Sequence, residues 1–153
     1  MNNSTETGKF IVFKIADYLL ALPIANVLKV INYPPGNYRD LNTAGLVQIG
    51  SYAIALLDLH QLLGDRTSDV TWNAPFLLIA QVHQKELCAI PVDEPPNLVE
   101  LSKDSIRALP HSYHHNPLLD FVSYGAILSD SGKTFTIFLL DINRAWHGNK
   151  ILS

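Results

Sequence analysis

The chain has 153 residues, of which 48% are hydrophobic and 16% are charged, and its formal net charge is −3. A chain of this length and apolar content can bury a core without a metal ion or a disulfide bond. The weakly acidic charge excludes the basic surface that nucleic-acid binding requires, and no apolar run approaches the roughly 20 residues that would insert into a membrane.

Residues 1–9 are polar and lack the apolar core of a secretory signal, so we expect a flexible N-terminus and a cytoplasmic location. The single cysteine, Cys88, has no internal disulfide partner, which agrees with a reducing compartment.

The first half of the chain contains two pairs of short segments rich in β-branched and aromatic residues, a pattern typical of β hairpins. The predicted strands are residues 10–15, 18–22, 46–49 and 52–57. The second hairpin reverses at Gly50-Ser51, where glycine tolerates the positive φ of a tight turn. Between the hairpins, residues 24–29 are predicted to form one helical turn with Ile24, Val27 and Leu28 on a common face.

The second half repeats this order. Its predicted strands are residues 76–82, 86–92, 121–128 and 134–140. Asp58 in the first half and Asp141 in the second each follow an apolar strand, and each is predicted to cap a short helix. The polar segment 65–75 is the predicted hinge between two lobes. Short strands with regularly spaced turns predict an all-β protein built from small barrels.

The least regular stretch contains three histidines, His111, His114 and His115. Because imidazoles are common zinc ligands, a small metal-dependent enzyme or sensor that uses this loop is the alternative function. No second cysteine or spaced carboxylate pair accompanies these histidines, and a solvated loop holds histidines without a metal.

Enzymatic motifs are incomplete in this sequence. Ser131-Gly132-Lys133-Thr134 resembles the end of a phosphate-binding loop, but Ile127 occupies the position of the glycine that such a loop needs. The Gly-x-Ser-x-Gly motif of many hydrolases is absent. We therefore expect no enzymatic activity and no cofactor or metal.

Several short motifs together resemble the CheW-like domain, the adaptor of bacterial chemosensory arrays and a relative of the regulatory domain of the histidine kinase CheA. In chain order they are Phe10-Ile11-Val12-Phe13-Lys14-Ile15, Ala21-Leu22-Pro23-Ile24 followed by Val27, Gly45-Leu46-Val47 leading to Leu56-Leu57-Asp58-Leu59, Pro91-Val92-Asp93, and Leu139-Leu140-Asp141-Ile142. The resemblance covers residues 10–147 and leaves 148–153 as a C-terminal tail. It implies two packed five-stranded β-barrels with short capping helices.

The resemblance also implies a non-enzymatic adaptor in bacterial signal transduction. In this family an apolar groove between the barrels holds the helical tip of a receptor's cytoplasmic hairpin, and other surfaces dock the regulatory domain of a CheA-type histidine kinase. The matching groove positions are Ile24, Val27, Lys29, Val47, Gly50, Ser51 and Val92. Receptor arrays would hold such an adaptor at the inner membrane.

The chain departs from the family pattern at three places. Gly50-Ser51 replaces a common Arg-Gly pair, Lys29 replaces a frequent acidic residue, and Glu94-Pro95-Pro96 interrupts an apolar strand. The lost arginine removes a planar group with five hydrogen-bond donors. These departures favour a divergent adaptor, such as one serving a pilus-linked or light-linked receptor. Self-association through exposed strand edges is a third hypothesis.

Overall fold

The computed structural model describes residues 6–34, 45–63, 74–110 and 116–152. Within these ranges the chain forms eleven strands and two α-helices. The strands are β1 (Thr7–Ile15), β2 (Tyr18–Pro23), β3 (Val27–Asn32), β4 (Leu46–Ile49), β5 (Tyr52–Leu56), β6 (Phe76–Gln81), β7 (Leu87–Val92), β8 (Asn97–Ser102), β9 (Ile106–Ala108), β10 (Val122–Asp130) and β11 (Lys133–Leu140). The helices are α1 (Leu59–Leu62) and α2 (Ile142–Leu152).

The strands form two sheets. One has six strands in the order β8-β1-β2-β11-β10-β9, and the other has five in the order β3-β6-β7-β5-β4. All neighbours are antiparallel except β2 with β11 and β5 with β7. The predicted mainly β fold, with two small barrel-like units and short helices, is confirmed. One unit has six strands because β9 adds to its edge by pairing with β10.

Each sheet draws strands from both halves of the sequence. The six-stranded sheet combines β1 and β2 with the four C-terminal strands, whereas the five-stranded sheet combines β3, β4 and β5 with β6 and β7. The internal repeat therefore describes the order of hairpins along the chain and not the membership of the sheets. The predicted hinge at 65–75 lies mostly outside the described residues.

Three apolar cores hold these sheets together. Each sheet curls around a small core of its own, and a third cluster, which we call the inter-sheet core, joins side chains from both sheets and both helices. The inter-sheet core includes Phe13, Ile15, Leu20, Leu22, Leu57, Leu59, Leu62, Leu78, Cys88, Ile90, Val92, Ala145 and Trp146. Side chains alternate between the two faces of a strand, so β6 sends Leu77 into the core of its own sheet and Leu78 into the inter-sheet core. Burial on both faces explains why the central strands are continuous apolar runs.

The predicted helical turn at residues 24–29 is wrong beyond Asn26. Ile24–Asn26 form a single turn of 3-10 helix, and β3 begins at Val27. The segment from Val27 is rich in β-branched residues, and pairing with β6 satisfies its backbone groups. The pairing shifts register between Val27 and Lys29, which marks a β-bulge at Leu28.

Each of the two α-helices begins at a capping aspartate. The Oδ1 atom of Asp58 accepts a hydrogen bond of 3.2 Å from the backbone N–H of Gln61, and the Oδ1 atom of Asp141 accepts one of 3.2 Å from that of Arg144. A third contact ties α2 to the turn between β6 and β7, where His83 N–H donates to Asn143 Oδ1 at 2.7 Å. Neither helix within the described ranges is long and apolar enough to cross a membrane.

Candidate partner-binding surface

The space between the sheets is filled by the chain's own side chains. Val92 lies in the inter-sheet core and is fully buried, and Val47 is buried in the core of the five-stranded sheet. Both were predicted to line a partner-binding groove, and neither side chain reaches the surface in this fold.

Gly50 and Ser51 form the exposed two-residue turn between β4 and β5. Gly50 has a φ of 61°, which explains the glycine, and its carbonyl accepts a bond of 3.4 Å from the Gln48 side chain. β4 and β3 are the two ends of the five-stranded order, and within the described residues they are not paired with each other.

An exposed apolar surface does occur where the inter-sheet core ends at β3. We call it the seam-edge patch and define it as Ile24, Val27, Leu28 and Val30. Val27 is partly buried and packs against the inter-sheet core. The other three side chains are exposed, with Ile24 at 43%, Leu28 at 52% and Val30 at 39%.

The register explains why the patch continues the buried core. Val30 pairs with Leu78, and Leu78 pairs with Ile90, so the three side chains form one row across β3, β6 and β7 on the same face. Leu78 and Ile90 belong to the inter-sheet core, whereas Val30 lies at the edge of the sheet and is not covered. Lys29 pairs with Ile79, so its exposed side chain flanks the patch from the opposite face.

The six-stranded sheet supplies a similar residue at its own edge. Leu98 of β8 pairs with Ile11 of β1, and Ile11 pairs with the buried Leu22 of β2, so all three share the face toward the inter-sheet core. Leu98 is 57% exposed. Leu98, Leu28 and Val30 were not among the groove positions predicted from the sequence. For Leu98, a signal was present, because it is out of phase with Val99 and Leu101, its apolar neighbours on β8.

The chemistry of the described residues does not include a reactive centre. Burial raises the pKa of the Cys88 thiol to about 12, so this group stays protonated and is a poor nucleophile. No three His, Cys, Asp or Glu residues cluster as a metal site within the described ranges. His111, His114 and His115 lie outside those ranges, so the alternative that depends on them remains a prediction.

Comparison with known proteins agrees with this architecture. The model of a protein family described as the CheW-like domain matches residues 9–147. Among solved structures, the chain is similar to the crystal structure of scaffolding protein TtCheW from Thermoanaerobacter tengcongensis, with a TM-score of 0.67, 17% sequence identity and coverage of 92% of each chain. At this identity the likeness concerns the fold. No curated protein sequence matches the chain.

Proposed function

Because the chain belongs to the CheW-like domain family, we propose that it is a signalling adaptor that links a receptor to a CheA-type histidine kinase. Domains of this family are non-enzymatic scaffolds, and this chain is not an enzyme. We place the adaptor in the cytoplasm, where receptor arrays would hold it at the inner membrane.

The seam-edge patch is the observation that carries the proposal. Three of its four apolar side chains are exposed on one short segment of the chain, and the fourth packs against the inter-sheet core. A surface of this kind suits the apolar face of an amphipathic helix, which presents side chains at positions i, i+3 and i+4. A receptor's cytoplasmic hairpin offers such a helix at its tip. On the other sheet, Leu98 is an exposed apolar residue on the face toward the inter-sheet core.

The direct test is the affinity of the purified protein for a receptor hairpin, measured by calorimetry with wild type and Ile24→Glu. We expect the glutamate to weaken binding by about tenfold or more, because it places a charge in an apolar contact. Ile127→Glu is the matched control, since Ile127 is also an exposed isoleucine but lies on β10 of the other sheet. Equal losses in both variants would exclude the seam-edge patch as the receptor site.

The second partner is the regulatory domain of a CheA-type kinase. It would bind outside the seam-edge patch, so receptor and kinase can bind the adaptor together. Co-precipitation with the isolated regulatory domain, with and without the receptor hairpin, tests this point, and Ile24→Glu should retain kinase binding. A folded adaptor that binds neither partner would remove the proposal.

A further inference from the structure

One buried polar side chain lies outside the proposed partner-binding surface. Among the described residues, His60 is the one polar or charged residue that is buried, and it lies on α1. Both ring nitrogens are inaccessible, and neither has a hydrogen-bond partner within the described part of the chain. Such a group loses the hydrogen bonds that water would provide, so its burial needs an explanation.

Among the described residues, the carboxylate nearest to a ring nitrogen of His60 belongs to Asp93. The Nε2 atom of His60 lies 3.7 Å from the Oδ2 atom of Asp93, and the two side chains are 3% and 48% exposed, respectively. This separation is longer than a hydrogen bond between nitrogen and oxygen, which spans about 2.7–3.2 Å. Asp93 follows β7 directly and begins the turn to β8. A movement of about 1 Å by this half-exposed carboxylate would complete the bond.

We propose that His60 and Asp93 form a proton-dependent clasp between α1 and the turn from β7 to β8. When the imidazole is protonated, both ring nitrogens are donors, and its positive charge draws the carboxylate into a charge-assisted hydrogen bond. When the imidazole is neutral, only one ring nitrogen is a donor and the attraction between opposite charges is lost, so the contact weakens and the carboxylate can separate from the ring. Histidine suits such a role because imidazole ordinarily changes charge between about pH 5 and pH 8.

The other ionisable groups on the neighbouring elements have contacts of their own or are exposed. At the start of α1, Asp58 accepts the Gln61 N–H, and at the start of α2, Asp141 accepts the Arg144 N–H. The Arg144 guanidinium donates to Ser123 Oγ at 2.8 Å and to the Leu119 carbonyl at 3.3 Å. His147 on α2 and Glu94 beside Asp93 are exposed. Asp93 is the only carboxylate in the described ranges within 4 Å of a His60 ring nitrogen.

The clasp lies close in sequence to the partner-binding surface. Residues 94–96 connect Asp93 to β8, which carries the exposed Leu98. Closing the clasp would therefore change the position of the turn that leads to Leu98. Any effect on receptor binding rests on the proposed function, whereas the clasp itself does not.

The test is a pH titration of the free, full-length protein by nuclear magnetic resonance. We expect the His60 ring signals and the backbone amides of Asp93, Glu94, Asn97 and Leu98 to change together as the pH is lowered from about 8 to about 5. In Asp93→Asn, the midpoint of the His60 titration should move to lower pH, because the negative charge that favours the protonated ring has been removed. In His60→Gln, those amides should no longer respond over this range.

His83 and His147 serve as internal references, because both are exposed and their titration should not move the same amides. The clasp is overturned if His60 does not change charge over this range, if it changes charge without moving the amides, or if its midpoint is the same in Asp93→Asn. If His60→Gln fails to fold, Asp93→Asn still decides, since Asp93 is half exposed. The measurement needs no receptor, so its outcome is independent of the proposed function.

Discussion

The inter-sheet core and the seam-edge patch are built from the same kinds of residue, yet the core is buried and most of the patch is exposed to solvent. The row formed by Val30, Leu78 and Ile90 joins them, because these side chains lie next to one another on one face of the five-stranded sheet. Leu78 and Ile90 are fully buried by the other sheet, and Val30 at the edge is not. The position of a strand in its sheet, rather than the type of residue, separates core from candidate interface.

The largest expected effect on stability is at Ile90, the buried end of the row formed by Val30, Leu78 and Ile90. Ile90→Ala should lower the free energy of unfolding by about 2–5 kcal/mol, because it leaves a cavity in the inter-sheet core. Val30→Ala is the matched change at the open end and should alter stability by about 0.5 kcal/mol or less. Urea unfolding of both variants measures the difference. Similar losses would show that the seam-edge patch is part of the core.

The pH dependence of the free energy of unfolding tests whether Cys88 is buried in the inter-sheet core. The Cys88 pKa is raised by burial from the ordinary 9.0 to about 12, so above pH 9 the thiol ionises in the unfolded chain before it does in the folded one. Its stabilising contribution is complete below pH 9 and is lost as pH rises toward 12, by about 1.4 kcal/mol per pH unit at most. The stability of wild type relative to Cys88→Ala should therefore fall over this range. A constant difference between the two proteins would show that the thiol is accessible to solvent.

Loss of a helix cap should lower the stability of the protein by less than a cavity in the inter-sheet core. Asp58→Ala should cost about 1 kcal/mol, because α1 loses the acceptor for Gln61 N–H while Leu59 and Leu62 must still be held in the inter-sheet core. Asp58→Asn retains an acceptor oxygen and is the control. Thermal unfolding of the two variants should separate them. If asparagine costs as much as alanine, the carboxylate acts through its charge and not through the cap.

The smallest effect on stability is expected at the exposed residues of the seam-edge patch. Ile24→Ser should change the free energy of unfolding by about 0.5 kcal/mol or less, because the side chain is already exposed to water. Val27→Ser should cost more, because Val27 packs against the inter-sheet core. Denaturant unfolding compares the two. A larger loss for Ile24→Ser would mean that this residue supports the fold and is a poor probe of binding.

Local features of the fold could be predicted from the sequence. The strand at residues 46–49 was predicted with the bounds that β4 has, and the turn at Gly50-Ser51 has the positive φ that its glycine indicated. Asp58 was also visible as a cap, because a carboxylate between a strand and a helical pattern accepts a bond from an amide only three residues away. The order of such motifs identified the family. These features depend on neighbours within a few residues of one another.

The membership of the sheets and the exposure of single apolar residues were decided by tertiary structure. Nothing in the sequence distinguishes Val47 or Val92 from the exposed Val30, since all three are aliphatic residues in predicted or observed strands. Their burial depends on pairings such as β3 with β6 and β5 with β7, which join residues distant in the chain. Strands covered on both faces have no polar alternation to show which face is outside. Only the order of strands in space determines where the apolar core ends and an open apolar surface begins.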